Sequence, residues 1–273
     1  MKKRIIKISV IAVGVIFAVW VLLTNILVGF TEYTIEYADL PDALDGFRIA
    51  QVSDLHNNDM WGVKEAVVGG IRERTPDIIV LTGDLVDSND TKTEVSLELV
   101  KELCEIAPCY YVTGNHEGWL EDDDFGKLID GLSENGVTIL RDETATFSKN
   151  GEEIVIAGID DPVLSRGIYR LSEIAGDEER FMLLLSHRPE FYEVYKTSGV
   201  QLVLSGHAHG GQFRLPFIGG IYAPNQGFFP EYDSGVYQDD DFALVVSRGV
   251  GNSVITARFN NMPEVVMVEL AKK

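Results

Sequence analysis

The chain has 273 residues, a length that suits one large domain or two small ones. Its formal net charge is −20, and because residues 1–30 carry four positive charges and no acidic residue, the remainder carries −24. A domain this acidic is repelled by nucleic-acid phosphates, and no stripe of Lys or Arg offsets the repulsion. We therefore expect no nucleic-acid partner, and a nuclease activity is disfavoured.

The N-terminal segment combines a basic start with a long apolar run. The basic residues are Lys2, Lys3, Arg4 and Lys7, and residues 8–30 carry no charge. A run of this length spans a bilayer with some tilt. A cleaved signal peptide, the main alternative, normally has a shorter run and a small-x-small cleavage site, and residues 27–30 contain no good one. A buried core helix is the third interpretation.

Residues 1–30 are therefore predicted to be a cytoplasmic basic tail and a single-pass transmembrane anchor, followed by one domain over residues 31–273. Positive charges preceding a span stay in the cytoplasm. The domain is accordingly predicted to lie outside the cell membrane.

The two cysteines, Cys104 and Cys109, are too close in sequence to indicate a thiolate metal site. An extracytoplasmic location would permit a disulfide between them. We favour two buried thiols that act as small hydrophobic side chains.

The predicted elements then alternate between strands and helices. Strands are predicted at residues 34–37, 47–52, 77–81, 109–112, 181–185 and 200–204, helices at 62–75 and 91–106, and shorter strands at 137–140, 145–148 and 154–158. The C-terminal strands at 244–247 and 265–268 suggest a second sheet. The expected architecture is α/β, with two stacked sheets and helices outside.

Five short motifs each follow an apolar strand, and four of them contain all five histidines of the chain. The motifs are Asp54-Leu55-His56, Gly83-Asp84, Gly114-Asn115-His116-Glu117, Ser186-His187 and Gly206-His207-Ala208-His209. Imidazole, carboxylate and amide donors form an all-N/O ligand set that suits Mn, Fe or Zn. Strand–helix–strand crossovers bring the carboxyl ends of parallel strands together, so we expect the motifs to meet on one sheet edge and form a two-metal site.

In this order, the five motifs resemble those of the calcineurin-like metallophosphoesterases. Flanking residues are similar to the bacterial membrane-anchored branch of that family: Ser53, Gly210-Gly211-Gln212 and Ser247-Arg248-Gly249. The similarity covers roughly residues 47–270. Any one motif alone could merely cap a strand or a turn, but five in order are specific. The resemblance implies a four-layer α/β/β/α sandwich of two mixed sheets.

The resemblance also implies a role for each motif residue. Asp84 would bridge two divalent metal ions, with the other ligands Asp54, His56 and His209 on the first ion and Asn115, His187 and His207 on the second. Two such ions hold a bridging hydroxide and clamp the attacking and leaving oxygens of a phosphoryl displacement. His116 would be the catalytic residue that stabilises developing charge and protonates the leaving group.

Some neighbouring residues have two interpretations. Asp87 fits a hydrogen-bonding role behind the metal ligands or a turn role equally well. Glu117 is expected in a turn or behind the ligands and not on a metal. Arg248 could contact a substrate phosphate or pair with an acid. Trp61 and Trp119 are candidates for the rim of the site.

An aromatic-rich segment, residues 213–232, follows the last histidines. It could form an apolar loop that overhangs the site and suits a lipid-linked or glycosyl phosphate. Packing of its aromatic side chains into the domain is the interpretation we favour.

These patterns together predict a membrane-anchored dinuclear phosphoesterase that hydrolyses phosphate ester or pyrophosphate bonds of a small-molecule or lipid-linked envelope substrate. A diesterase or pyrophosphatase is the first choice and a monoesterase the second. The alternative from another class is a catalytically silent scaffold of the same fold.

Overall fold

The computed structural model describes residues 2–60, 62–176, 179–239, 241–252 and 257–273. Helix α1 (Lys2–Ile26) contains a stretch, Ile6–Ile26, that is long and apolar enough to cross a membrane. Its apolar side chains are exposed along most of the helix, which contradicts the interpretation as a buried core helix.

The C-terminal end of α1 contacts the domain directly. The Trp20 ring lies edge-on to Phe259, with ring centroids 5.1 Å apart. The Asn25 side chain donates to the Arg258 carbonyl at 2.9 Å and accepts from the Arg258 N–H at 2.7 Å. The first strand begins at Gly29, two residues before the predicted start of the domain.

Two six-stranded sheets form the centre of the domain. The first has the order β1 (Gly29–Tyr37), β16 (Glu264–Lys272), β2 (Phe47–Val52), β3 (Ile78–Thr82), β4 (Cys109–Val112) and β5 (Thr138–Ile139). The second has the order β14 (Gly235–Asp239), β15 (Phe242–Val246), β9 (Leu202–Ser205), β8 (Met182–Leu185), β7 (Glu152–Gly158) and β6 (Glu143–Lys149). Strands β2 to β5 are mutually parallel, as are β7, β8, β9 and β15, whereas β16 runs antiparallel to β2 and β6 and β14 run antiparallel to their neighbours.

Helices cover the outer face of each sheet. Helices α2 (Val63–Arg74), α3 (Thr93–Cys104) and α4 (Asp122–Glu134) pack on the first sheet, and α5 (Leu171–Ala175) and α6 (Tyr192–Lys196) pack on the second. Within β3, Ile78 and Val80 face the core between the sheets, while Ile79 and Leu81 face the helices. Burial on both faces explains why these strands are continuously apolar. The four-layer α/β/β/α architecture is confirmed.

Two expectations about the sheets were wrong in detail. Of the two predicted C-terminal strands, the one at 244–247 is β15 and lies in the second sheet. The other, β16, lies in the first sheet between β1 and β2. The motif residues also do not share one sheet edge, because β2, β3 and β4 belong to the first sheet and β8 and β9 to the second. The periodicity of a strand indicates which of its faces are buried, but it does not identify the neighbouring strand with which it forms hydrogen bonds.

Cys109 is buried at the start of β4, and Cys104 is half-buried at the end of α3. Both are free thiols in the structure, as favoured, but only Cys109 is fully buried.

Candidate metal centre

Each predicted ligand follows the carboxyl end of a strand, and the two stacked sheets bring these ends together. Asp54 and His56 follow β2, Asp84 follows β3 and Asn115 follows β4, whereas His187 follows β8 and His207 and His209 follow β9. All seven of these residues are buried.

Backbone conformation also distinguishes these loops. Five of the predicted ligands have left-handed backbone conformations with φ between 46° and 65°, namely Asp54, His56, Asp84, His207 and His209. Non-glycine residues adopt this region rarely, and such residues concentrate at functional sites. Gly206 adds a close approach, because a Cβ there would lie 1.9 Å from Ser53 Oγ and 2.3 Å from Asp54 Oδ2.

A first group of ligand atoms comes from Asp54, His56 and His209, all within 4.8 Å of one another. His56 Nε2 lies 3.2 Å from His209 Nε2, and His209 Nε2 lies 3.4 Å from Asp54 Oδ1. Burial lowers the pKa of His56 to about 4 and that of His209 well below its usual value. Both imidazoles are therefore neutral near pH 7, as metal ligands must be.

A second group comes from Asp84, His187 and His207, again within 4.8 Å. His187 Nδ1 donates to the Thr82 carbonyl at 2.7 Å, which leaves its Nε2 facing Asp84 Oδ2 at 3.2 Å. His207 Nδ1 lies 3.1 Å from His187 Nε2, while its Nε2 lies 3.0 Å from Asn225 Oδ1. A hydrogen bond on the outward nitrogen of this kind orients a metal-binding imidazole.

The carboxylate of Asp84 lies between the two groups. Its Oδ2 is 3.6 Å from His56 Nε2 and 3.2 Å from His187 Nε2, while its Oδ1 accepts the His116 N–H at 2.8 Å. Burial raises the pKa of Asp84, but His187 and His56 hold it well below its usual value. Burial lowers the pKa of His187, but the neighbouring Asp84 carboxylate raises it, and the net pKa is about 10. The pair of Asp84 and His187 therefore holds a proton that metal binding would release.

One buried polar atom supports a cation site. Asn115 Oδ1 has no hydrogen-bond partner among the described residues. A buried polar atom without a partner is costly unless another group satisfies it. A metal ion beside Asn115 would satisfy its amide oxygen, and the donor set of carboxylate, imidazole and amide fits Mn, Fe or Zn.

His116 is buried beside the first group, with its ring centroid 4.5 Å from that of His56. The Ser88 N–H donates to His116 Nδ1 at 3.2 Å. Because an amide N–H can only donate, the ring proton of a neutral His116 lies on Nε2. Asp87 Oδ1 accepts the Asn89 N–H at 2.8 Å, which fits the turn role, and lies 3.7 Å from His116 Nδ1.

Glu117 connects two ligand loops from behind. Its buried carboxylate accepts the backbone N–H groups of Asp84 at 2.9 Å, Leu85 at 2.7 Å and Gly114 at 2.7 Å. Burial, with Asp84, raises its pKa to about 7. This position agrees with the expectation that Glu117 supports the ligands without binding a metal.

The remaining sequence-based candidates have different outcomes. Trp119 is exposed and its ring lies 5.0 Å from that of His116, at the rim as expected. Trp61 lies outside the described residues. Arg248 pairs with the buried carboxylate of Glu264.

The aromatic segment differs from the favoured expectation. Tyr232 stacks on Tyr192, with ring centroids 4.9 Å apart, but the other aromatic side chains are exposed, namely Phe213, Phe217, Tyr222, Phe228 and Phe229. Packing into the domain is therefore wrong for these five side chains.

Three residues near the site carried no signal in the sequence. Asn225 and Ser88 contact His207 and His116 through loops of no recognisable pattern. Arg258 is fully buried, and its Nη2 lies 3.5 Å from His209 Nδ1. Because Arg258 also bonds to Asn25, it links the end of α1 to the first ligand group.

Comparison with known proteins agrees with this geometry. The family model of the calcineurin-like phosphoesterases matches residues 47–211. The metallophosphoesterase YkuE of Bacillus subtilis is 33% identical over 245 residues, which are 88% of this chain and 84% of that protein. The phosphodiesterase YaeI of Escherichia coli is 30% identical over 229 residues, 82% of each chain. The structure of Thermus thermophilus sulfate thiohydrolase SoxB shares the fold, with a TM-score of 0.53 at 12% identity over 85% of this chain and 58% of that one. The chain therefore belongs to the calcineurin-like phosphoesterase family and is a metal-dependent phosphoester hydrolase.

Proposed function

We propose that this protein is a membrane-anchored phosphodiesterase or pyrophosphatase that uses two divalent metal ions and acts on an envelope-associated phosphate compound. The observation that carries the proposal is the position of Asp84, whose Oδ2 lies within 3.6 Å of His56 Nε2 and 3.2 Å of His187 Nε2. One carboxylate is thereby shared between two groups of ligands.

In this proposal Asp84 would contribute to both metal sites, with Asp54, His56 and His209 as the other residues that would hold one ion and Asn115, His187 and His207 as those that would hold the other. Bound ions of this kind supply Lewis-acid activation and charge neutralisation for in-line displacement at phosphorus. The chain contributes the geometry that holds the ligands. The Glu117 carboxylate fixes the loops that carry Asp84 and Asn115, and the Thr82 carbonyl orients His187.

His116 is proposed to be the general acid. As a general acid the ring carries protons on both nitrogens, and the Nε2 proton passes to the leaving oxygen, which leaves a neutral imidazole. Asp87 Oδ1, 3.7 Å from Nδ1, stabilises the ring when it carries a second proton.

Charge and composition support a small-molecule or lipid-linked substrate. The −24 charge of the domain opposes binding of nucleic acid. The Escherichia coli relative is named a phosphodiesterase, which favours a diester over a monoester. A silent scaffold is opposed by the presence of all seven ligand-type residues and His116 in one buried cluster.

We expect the full chain, in detergent and supplied with Mn, Fe or Zn, to hydrolyse a diester or a nucleotide-sugar pyrophosphate with a higher kcat/KM than a nitrophenyl monoester. The full chain is needed because Asn25 bonds to Arg258 and β1 begins at Gly29. A preference for the monoester would favour the second choice. A protein that binds metal but hydrolyses none of these three substrates would favour the scaffold alternative.

The domain is expected to be extracytoplasmic, because Lys2, Lys3, Arg4 and Lys7 all precede the uncharged run of residues 8–30. Protease added to intact cells, or to spheroplasts where an outer membrane is present, should digest the domain while a cytoplasmic marker protein stays intact. Full protection of the domain until the membrane is permeabilised would contradict this orientation.

A further inference from the structure

The segment from Phe213 to Pro230, here called the apolar loop, presents aromatic side chains to the outside of an otherwise acidic domain. Residues 215–230 carry no charge. Phe217 is fully exposed, Phe228 is 74% exposed and Phe229 is 63% exposed. Exposed apolar patches of this kind mark interaction surfaces.

The conformation of the apolar loop holds these side chains outward. It consists of two short hairpins, β10 (Arg214–Leu215) with β11 (Gly219–Gly220), and β12 (Tyr222–Ala223) with β13 (Gly227–Phe228). Phe217 at the first tip and Phe229 after the second hairpin have φ of 68° and 56°. Bulky residues adopt this region only where the surrounding structure enforces it.

The base of the apolar loop is joined to the end of α1. The Arg214 N–H donates to the Phe259 carbonyl at 3.0 Å, and Phe213 forms a β-bridge with Phe259. The Phe259 ring in turn contacts Trp20 at 5.1 Å and Phe17 at 6.2 Å between ring centroids. The apolar loop and the apolar helix thus form one continuous surface.

Helix geometry gives the depth of this contact. At 1.5 Å per residue, Ile6–Ile26 is roughly 31 Å long, close to the thickness of a bilayer's hydrocarbon core. Trp20 lies six residues before the end of the stretch, which is roughly 9 Å inside the outer boundary. If α1 spans the bilayer, the Phe259 ring, which contacts Trp20 and Phe17, lies roughly 9 Å or more below that outer boundary. Apolar side chains of membrane-surface segments are buried to about 5–10 Å at this boundary.

The single charge of the apolar loop does not oppose insertion. Arg214 is its only charged residue, and it pairs with Asp233 Oδ2 at 3.1 Å and with the Gly210 carbonyl at 2.8 Å. Its guanidinium is therefore directed toward the domain.

We propose that the apolar loop inserts into the outer boundary of the same lipid bilayer that holds α1, so that the domain contacts the membrane at two places beside the metal centre. The inference rests on the membrane anchor of the proposed function. The second hairpin also reaches the site, because Asn225 Oδ1 lies 3.0 Å from His207 Nε2. A substrate would then enter from the membrane plane, with its phosphate at the metal centre and its apolar part along the loop. The substrate class is an amphipathic phosphodiester.

Insertion can be measured without turnover, on the full chain in phosphatidylcholine vesicles. A fluorescent probe is attached to Ile218→Cys in a Cys104→Ser background, where the remaining thiol, Cys109, is buried. The control probe is attached to Tyr169→Cys, at a position that is 74% exposed. Brominated lipids should quench the probe at 218 and aqueous iodide should not, whereas the probe at 169 should show the reverse.

Quenching of the probe at 218 by iodide, as at 169, would overturn the inference. Shielding from both quenchers together with cross-linking to a second copy would also overturn it, because the loop would then be a protein interface. An inactive protein with a lipid-quenched probe would refute only the proposed function. An active diesterase with a water-exposed probe would refute only this inference.

A double variant, Phe217→Asn with Phe229→Asn, tests substrate entry. Asparagine tolerates a left-handed backbone, so the loop keeps its shape while losing its apolar surface. Turnover of a diacylglycerol nitrophenyl phosphodiester in vesicles should fall about tenfold or more, as expected for withdrawing a phenylalanine-sized side chain from an apolar environment. Turnover of soluble bis(nitrophenyl) phosphate should stay close to that of the unchanged protein. An equal loss on both substrates would overturn entry from the membrane.

Discussion

Replacing His116 with alanine is expected to lower turnover of an alkyl phosphodiester by about 10²–10⁴-fold, the usual contribution of general acid catalysis. Metal content should stay near that of the unchanged protein, because the contacts of His116 Nδ1 are with Ser88 and Asp87. The loss should be much smaller for a nitrophenyl ester, whose oxyanion leaves without a proton. Rates on the two substrates and elemental analysis of the variant measure both effects.

Two further variants separate proton transfer from other contributions of His116. His116→Gln restores an N–H donor but cannot transfer a proton, so its loss should still depend on the leaving group. Trp119→Ala removes the neighbouring ring, 5.0 Å away, and should not show that dependence. An equal deficit on both esters would leave His116 with charge stabilisation or positioning only, and loss of a metal ion would show that it is a ligand.

Replacing Asp84 with asparagine is expected to weaken the binding of both metal ions together and to remove almost all activity. Its Oδ2 faces one histidine of each ligand group, at 3.6 Å and 3.2 Å. Loss of a hydrogen-bond partner behind a ligand costs about 10–100-fold in metal affinity. Loss of the charged ligand shared by two ions should cost more, and at both sites.

Asp54→Asn is the matched control, because Asp54 belongs to only one ligand group. Elemental analysis after metal loading should find close to two ions in the unchanged protein, about one in Asp54→Asn and fewer still in Asp84→Asn. Loss of a single ion from Asp84→Asn would show that the carboxylate does not bridge. An unchanged protein that is active with one ion would contradict the dinuclear proposal.

Local sequence pattern was sufficient for the architecture around the site. Continuous apolar runs such as 78–81 and 202–204 are typical of strands buried on both faces, and each ligand motif comes shortly after such a run. Residue type then indicated the chemistry, because neutral imidazoles, carboxylates and an amide at adjacent strand ends suit a divalent cation. Both inferences need only neighbouring residues.

Pairing between distant segments could not be predicted in the same way. The place of β16 in the first sheet depends on hydrogen bonds to β1 and β2, more than 200 residues earlier in the chain. The position of Asp84 between two ligand groups likewise depends on contacts such as His56 with His209, 153 residues apart. No local periodicity encodes which of several apolar strands become neighbours.

Irregular segments were the least predictable part of the chain. The aromatic residues of the apolar loop look like core residues in sequence, yet the backbone turns Phe217 and Phe229 outward through left-handed conformations. In the sequence, Asn225 cannot be distinguished from an ordinary turn residue, yet in the structure its side chain contacts His207. Residue types and their order along the chain therefore predicted the fold class and the metal chemistry. Tertiary structure alone decided which side chains stand between the two ligand groups, which stand behind them and which are exposed on the surface, because side-chain direction in a loop is set by contacts with distant residues.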